Sequence, residues 1–123
     1  MKRRFLLPII ASLTLGCPTA HYAQLLNRSS GTVFSPPSWE ADWAKAIAPG
    51  KTVEIHWYQP CVTIVDGDQT YYFQSFPFPE SASRQGLTGV YLNAEYADGT
   101  LVLIDDRGAR HELRRLRSCK APL

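Results

Sequence analysis

From Lys51 onward the apolar and polar positions alternate with a period of two. Val53, Ile55 and Trp57 interleave with Glu54, His56 and Tyr58, the pattern of a strand with one face in a core. After Pro60, the segments Cys61 to Val65 and Thr70 to Phe76 flank Asp66-Gly67-Asp68-Gln69, which has the composition of a hairpin turn. Val90, Leu92, Ala94 and Tyr96 then alternate with Tyr91, Asn93 and Glu95. Asp98-Gly99 turns the chain into Thr100 to Asp105, and Arg107-Gly108-Ala109 turns it again into Arg110 to Ser118. This predicts six strands in two antiparallel groups, joined by a loop from Pro77 to Thr88.

Upstream the period changes to that of a helix. Trp39, Trp43, Ala46 and Ile47 fall at i, i+4, i+7 and i+8, one apolar stripe. Pro36 and Pro37 precede the segment, Ser38 suits its cap, Glu40 and Asp42 suit its positive end, and Pro49-Gly50 stops it. A helix over Ser38 to Ala48 is expected to dock on the sheet. The fold class that results is mainly β with one N-terminal helix: a small antiparallel sheet or barrel of about six strands with the helix packed on it.

The chain opens with Met1-Lys2-Arg3-Arg4, followed by a short apolar run from Phe5 to Gly16 that Pro8 interrupts. A membrane span needs about 20 apolar residues, and this run has the layout and length of a bacterial export signal. Two processing points are open. Leu13-Thr14-Leu15-Gly16-Cys17 resembles a lipoprotein signal, with Cys17 as the lipidated residue and Thr14 where an aliphatic residue is usual. Ordinary cleavage after Ala23 competes with it, although His21 then occupies a position that prefers a small side chain. Residues 1–23 are thus read as export signal, 24–37 as a polar, flexible arm, and 38–123 as one domain. The expected location is the periplasm or, through a lipid anchor, the outer membrane.

Export changes the cysteine reading. In an oxidising compartment Cys61 and Cys119 are the natural disulfide, leaving Cys17 to lipidation or to removal with the signal. Closing so long a loop stabilises by about 4 kcal/mol through the unfolded chain. Charge changes too. The 123-residue chain has 13 basic and 11 acidic side chains, but three of the basic ones (Lys2, Arg3 and Arg4) lie in the signal. The near-neutral remainder argues against a nucleic-acid partner.

Several patterns bear on chemistry. His56 and His111 could serve a small secreted nuclease-like hydrolase as base and acid. With Gly108 centring the last hairpin, Asp105 is expected opposite His111 and Leu103 opposite Leu113. Ala48-Pro49-Gly50-Lys51-Thr52 has the tail of a phosphate-binding loop without its first Gly, in the wrong helix–strand order. His111-Glu112-Leu113-Arg114-Arg115 has Arg where a zinc-protease helix needs its second His. No cofactor, metal site or catalytic set is therefore expected, and the chain is read as a non-enzyme.

Two surfaces remain. Tyr71-Tyr72-Phe73 runs on to Phe76-Pro77-Phe78-Pro79, two Phe residues held by two Pro in a loop that is hard to hide. The alternative is that Phe76 and Phe78 fold back as a plug; Trp57 and Tyr58 are read as core and rim, with a groove as their alternative. Arg114, Arg115 and Arg117 crowd the last strand and suit an anionic partner. Expected contact residues are Phe76, Phe78, Tyr72, Arg114, Arg115 and Arg117. Ser81-Ala82-Ser83 with Cys119 near the end is similar to the layout of envelope lysozyme inhibitors. The Gly and Tyr that follow there are replaced by Arg84-Gln85-Gly86-Leu87, so no family is assigned. The functional expectation is an exported envelope protein that binds a secreted hydrolase or toxin as an inhibitor or immunity-type protein. A glycan is a further ligand class; a structural subunit of an envelope or secretion assembly, and the two-histidine hydrolase, are the alternatives.

Overall fold

The structure is a computed structural model and describes residues 20–36 and 45–119. Its strands are β1 (His21–Asn27), β2 (Val33–Ser35), β3 (Lys45–Ile47), β4 (Thr52–His56), β5 (Cys61–Asp66), β6 (Gln69–Gln74), β7 (Ser83–Gln85), β8 (Val90–Ala97), β9 (Thr100–Ile104), β10 (Arg110–Glu112) and β11 (Arg115–Leu116). They form two sheets. The first has six strands in the order β10-β9-β8-β1-β4, with β7 on the edge of β8; the second has five in the order β11-β6-β5-β2-β3. The all-β expectation holds, and the disulfide between Cys61 and Cys119 is present, spanning 58 positions.

Alternation places the core between the sheets. Ala23, Leu25, Ile55, Leu92, Ala94, Tyr96, Leu101 and Leu103 face inward from the first sheet, and Val33, Ile47, Val62, Ile64 and Phe73 from the second. Burying one such large side chain is worth about 1.5–3 kcal/mol. Trp57 is part of this core, and its indole N–H donates to the Ser75 carbonyl at 3.1 Å, so it makes no groove; Tyr58 beside it is half-buried.

The sheets are laced along both flanks. On one, β3 leads into β4 through a turn in which Gly50 adopts a φ of 76°. There the fully buried Asn27 amide donates to the Gly31 and Ile47 carbonyls, each at 2.8 Å, and accepts from the Ser29 N–H at 2.9 Å. On the other flank the chain leaves the first sheet and joins the second within two residues: the Leu113 N–H donates to Leu101, while the Arg114 carbonyl accepts from Gln74.

Several expectations are corrected, the first being the number of strands: eleven stand among the described residues where about six were expected. The helix over Ser38 to Ala48 is not seen: residues 38–44 lie outside the described residues, and Lys45–Ile47 form β3, paired with β2 through Val33 and Ile47. Ladder bonds and the burial of Ile47 override the helix propensity of Lys and Ala there. The stretch expected as an arm contributes β2 and, as Gln24–Asn27, most of β1. It does so because Ala23, Leu25 and Asn27 face the core.

The sheets are also not purely antiparallel: β1 pairs with β8 in parallel, from His21–Val90 to Asn27–Tyr96. The segment Arg110 to Ser118 is not one strand, since inward Leu113 turns it from one sheet to the other. Between Pro77 and Thr88 lie a single 3-10 turn (Glu80–Ala82) and β7. No helix among the described residues is long and apolar enough to cross a membrane.

Candidate functional site

After β11 the chain runs as a strap, Arg117 to Cys119, back to β5, where the disulfide clasps it at a Cα–Cα distance of 5.4 Å. The Thr63 hydroxyl lies 3.3 Å from the Cys119 sulfur. This cover explains why Cys61 and Thr63, on the outward phase of β5, are buried along with Val62 and Ile64. Beside the strap is a concavity of about 380 Å³ lined by Pro60, Cys61, Gln74, Arg114, Leu116 and Arg117 among others. Gln74 and Arg114 also line a second depression, of about 450 Å³, which runs to Pro77, Pro79 and His111.

Charge separates these arginines from their neighbours. Arg28 and Arg110 both reach Glu95, at 3.6 and 3.0 Å. Arg114 and Arg117 are exposed, and among the described residues no carboxylate stands within ion-pair distance of either. Two uncompensated guanidinium groups at a concavity raise the local potential for an anion, and their planar donor forks suit carboxylate or phosphate.

The expected contact residues divide. Arg114 and Arg117 meet at the concavity. Phe76 is 50% exposed next to it, its carbonyl accepting from the Gln74 amide at 3.2 Å. Tyr72 is half-buried on the outward face of β6, opposite Leu116. Phe78 turns the other way: it packs against the core and meets the His21 ring at 6.0 Å. Arg115 is also elsewhere. Its guanidinium lies 4.6 Å from the centre of the Tyr71 ring and donates to the Gly99 carbonyl. Cys17 lies outside the described residues.

His111 Nε2 donates to Asp105 Oδ2 at 2.9 Å, so the expected carboxylate–imidazole pair forms, but in a different register. His111 stands opposite Leu103, and Arg110 opposite Ile104. Asp105 itself closes the turn: its carboxylate accepts from the Arg107 and Ala109 N–H groups, and Gly108 takes a φ of 83°. The His111 hydrogen bond, followed by the Ala109 N–H, holds the Asp105 carboxyl at about 2. No hydroxyl or thiol among the described residues is hydrogen-bonded to His111. His56 lies on β4 and His111 on β10, opposite edges of one sheet, four strand spacings or about 19 Å apart.

A feature the sequence reading passed over lies on the outward face of the first sheet. Tyr91, Tyr22 and His56 stand side by side on β8, β1 and β4, and Tyr58 extends the row. Successive ring centroids are 5.5, 5.0 and 5.7 Å apart. Burial pushes the Tyr58 hydroxyl pKa up. Tyr91 and His56 occupy the outward phase of alternations read only for their inward residues, and Tyr22 lies in what was read as leader.

The chain matches no protein-family model, no curated protein and no solved structure.

Proposed function

We propose that this chain is an exported binding protein of the bacterial cell envelope, whose concavity beside the disulfide-clasped strap takes an acidic face of a protein partner. The partner class is a secreted hydrolase or toxin that the protein holds inactive. The observation that carries the reading is the pair Arg114 and Arg117, uncompensated by any described carboxylate and set around an apolar floor that includes Leu116. A solvated strand face would spread its charges among counter-charges, as Arg28 and Arg110 do on Glu95. The rival built on His56 and His111 needs both imidazoles at one substrate, which their positions on opposite sheet edges disfavour.

The test is retention of partners from envelope and secreted extracts by the intact, disulfide-bonded protein beside an Arg114→Glu/Arg117→Glu variant. One dominant protein is expected on the wild type, weakened by salt and lost from the variant, and its enzymatic or toxic activity should fall in proportion to the protein added. Equal retention by the variant would remove the concavity as the contact surface. A retained protein whose activity is untouched would favour an assembly subunit over an inhibitor.

A further inference from the structure

We propose that the end of the sandwich at which β1 begins is seated on a lipid surface, with Leu87 and Phe76 reaching into the headgroup layer. This rests on the reading of Phe5 to Gly16 as an export segment that brings the chain to a membrane.

The first argument is where β1 starts. The Ala20 carbonyl accepts from the Val90 N–H, and the His21 carbonyl from the Trp57 N–H, both at 2.8 Å. Ala23 is 1% exposed, within the core, and pairs with Ile55 on one side and Leu92 on the other. Cleavage after Ala23 would take His21, Tyr22 and Ala23 out of a central strand and orphan those two N–H groups. The domain therefore needs its chain from Ala20 onward. Any attachment at Cys17, or through the apolar run just before it, lies three residues from the sheet, a reach of at most about 10 Å. This end cannot stand away from the bilayer that holds it.

The second argument is what this end presents. The Gly86 N–H donates to the Gly89 carbonyl and closes a four-residue turn with Leu87 at its tip, fully exposed. A Cβ on Gly89 would come within 2.5 Å of the Ala20 carbonyl oxygen, so this turn lies against the start of β1. Phe76 reaches the same region, edge-on to Phe78, which meets His21. Phe34, Phe76 and Leu87 are the exposed large apolar side chains among the described residues, and two of the three gather here.

The row Tyr91, Tyr22, His56 and Tyr58 borders them. Rings with an apolar body and a polar tip suit the boundary between headgroups and acyl chains. The opposite end, where β5 turns into β6, carries Asp66 and Asp68 instead.

The full chain, made with its own N-terminus in a diderm bacterial host and recovered from the envelope, provides the test. An environment-sensitive fluorophore is placed at Leu87→Cys or, as reference, at Asp68→Cys, after the native disulfide has formed. The protein is then reconstituted in phosphatidylethanolamine–phosphatidylglycerol vesicles carrying a nitroxide lipid. Blue-shifted, lipid-quenched emission at position 87 and unquenched emission at 68 is the expected result. Equal, water-like emission at both positions on vesicle-bound protein overturns the seating but leaves the export reading standing. An intact mass starting at Gln24 overturns the seating, because β1 would lose its first residues, while leaving the export reading standing. Because Leu87 is fully exposed, the label leaves the core intact, and an unchanged near-ultraviolet circular dichroism spectrum checks that it has. Partner capture through Arg114 and Arg117 is scored separately, so neither reading stands in for the other.

Discussion

The phenol of Tyr96 donates to Asp66 Oδ2 at 2.6 Å, joining the first sheet to the second at the end away from the start of β1. The phenol oxygen of Tyr96 in turn accepts from the Gly99 N–H at 2.9 Å. Burial first, and then the hydrogen bond to Asp66, pushes the Tyr96 hydroxyl well above its ordinary pKa. Tyr96→Phe keeps the ring in the core but strips a buried N–H and a carboxylate of their partner. A loss of about 1–3 kcal/mol is expected, read as a lower urea midpoint with an unchanged slope. A midpoint equal to wild type would show that water replaces the phenol without cost.

The Asp105–His111 pair predicts a segment of the acid stability curve. The carboxyl titrates at about 2 in the folded protein against 3.8 as its ordinary value, so between these values the unfolded chain binds more protons. Stability from this group is complete above pH 4 and is lost as pH falls through about 2. Asp105→Asn should flatten the stability–pH curve in that window relative to wild type. Superimposable acid limbs would deny the pair a role in stability.

Opening the disulfide should act on stability and binding together. Closure of a 58-residue loop is worth about 4 kcal/mol in the chain-entropy account. Cys119→Ser should lower the melting temperature and also free the strap that carries Arg117. Partner affinity measured below the melting transition should therefore fall even where the circular dichroism remains native. Native affinity in that variant would place the contact surface away from the strap.

Gly89→Ala tests the start of β1. The new Cβ meets backbone, the Ala20 carbonyl oxygen, rather than a side chain that could swing aside. Loss of the Val90–Ala20 hydrogen bond and faster hydrogen exchange over the first residues of β1 are expected, with destabilisation of about 1–3 kcal/mol. Exchange identical to wild type would mean that the turn relaxes at no cost to the strand.

The strands with strict alternation were legible in the sequence, because each has a buried face that fixes its period: β4, β5, β6, β8 and β9 fall where Val53 to Thr100 predict them. The disulfide was legible from the cysteine count together with the export segment, which sets Cys17 apart from Cys61 and Cys119. β1 was not, since Tyr22 and Ala23 resemble the end of a leader and only distant partners, β4 on one side and β8 on the other, make them a strand. β3 was misread because Lys45 and Ala46 are good helix formers and nothing local announces β2 as their partner. At the candidate site the arginines were identified from composition. Which of them converge depended on Leu113, whose burial turns the chain between sheets and sends Arg114 and Arg117 one way and Arg115 the other.

The pairing of β1 with β8 also sets an order of events during synthesis. His21–Asn27 is among the first parts of the domain to emerge, yet its parallel neighbour is Val90–Ala97, with β4 on its other side. The strand at the heart of the larger sheet must wait with one edge open until most of the chain has been made, and Cys61 must wait longer still for Cys119. The larger sheet can be completed only when the last third of the chain is present, and until then β1 keeps one edge open.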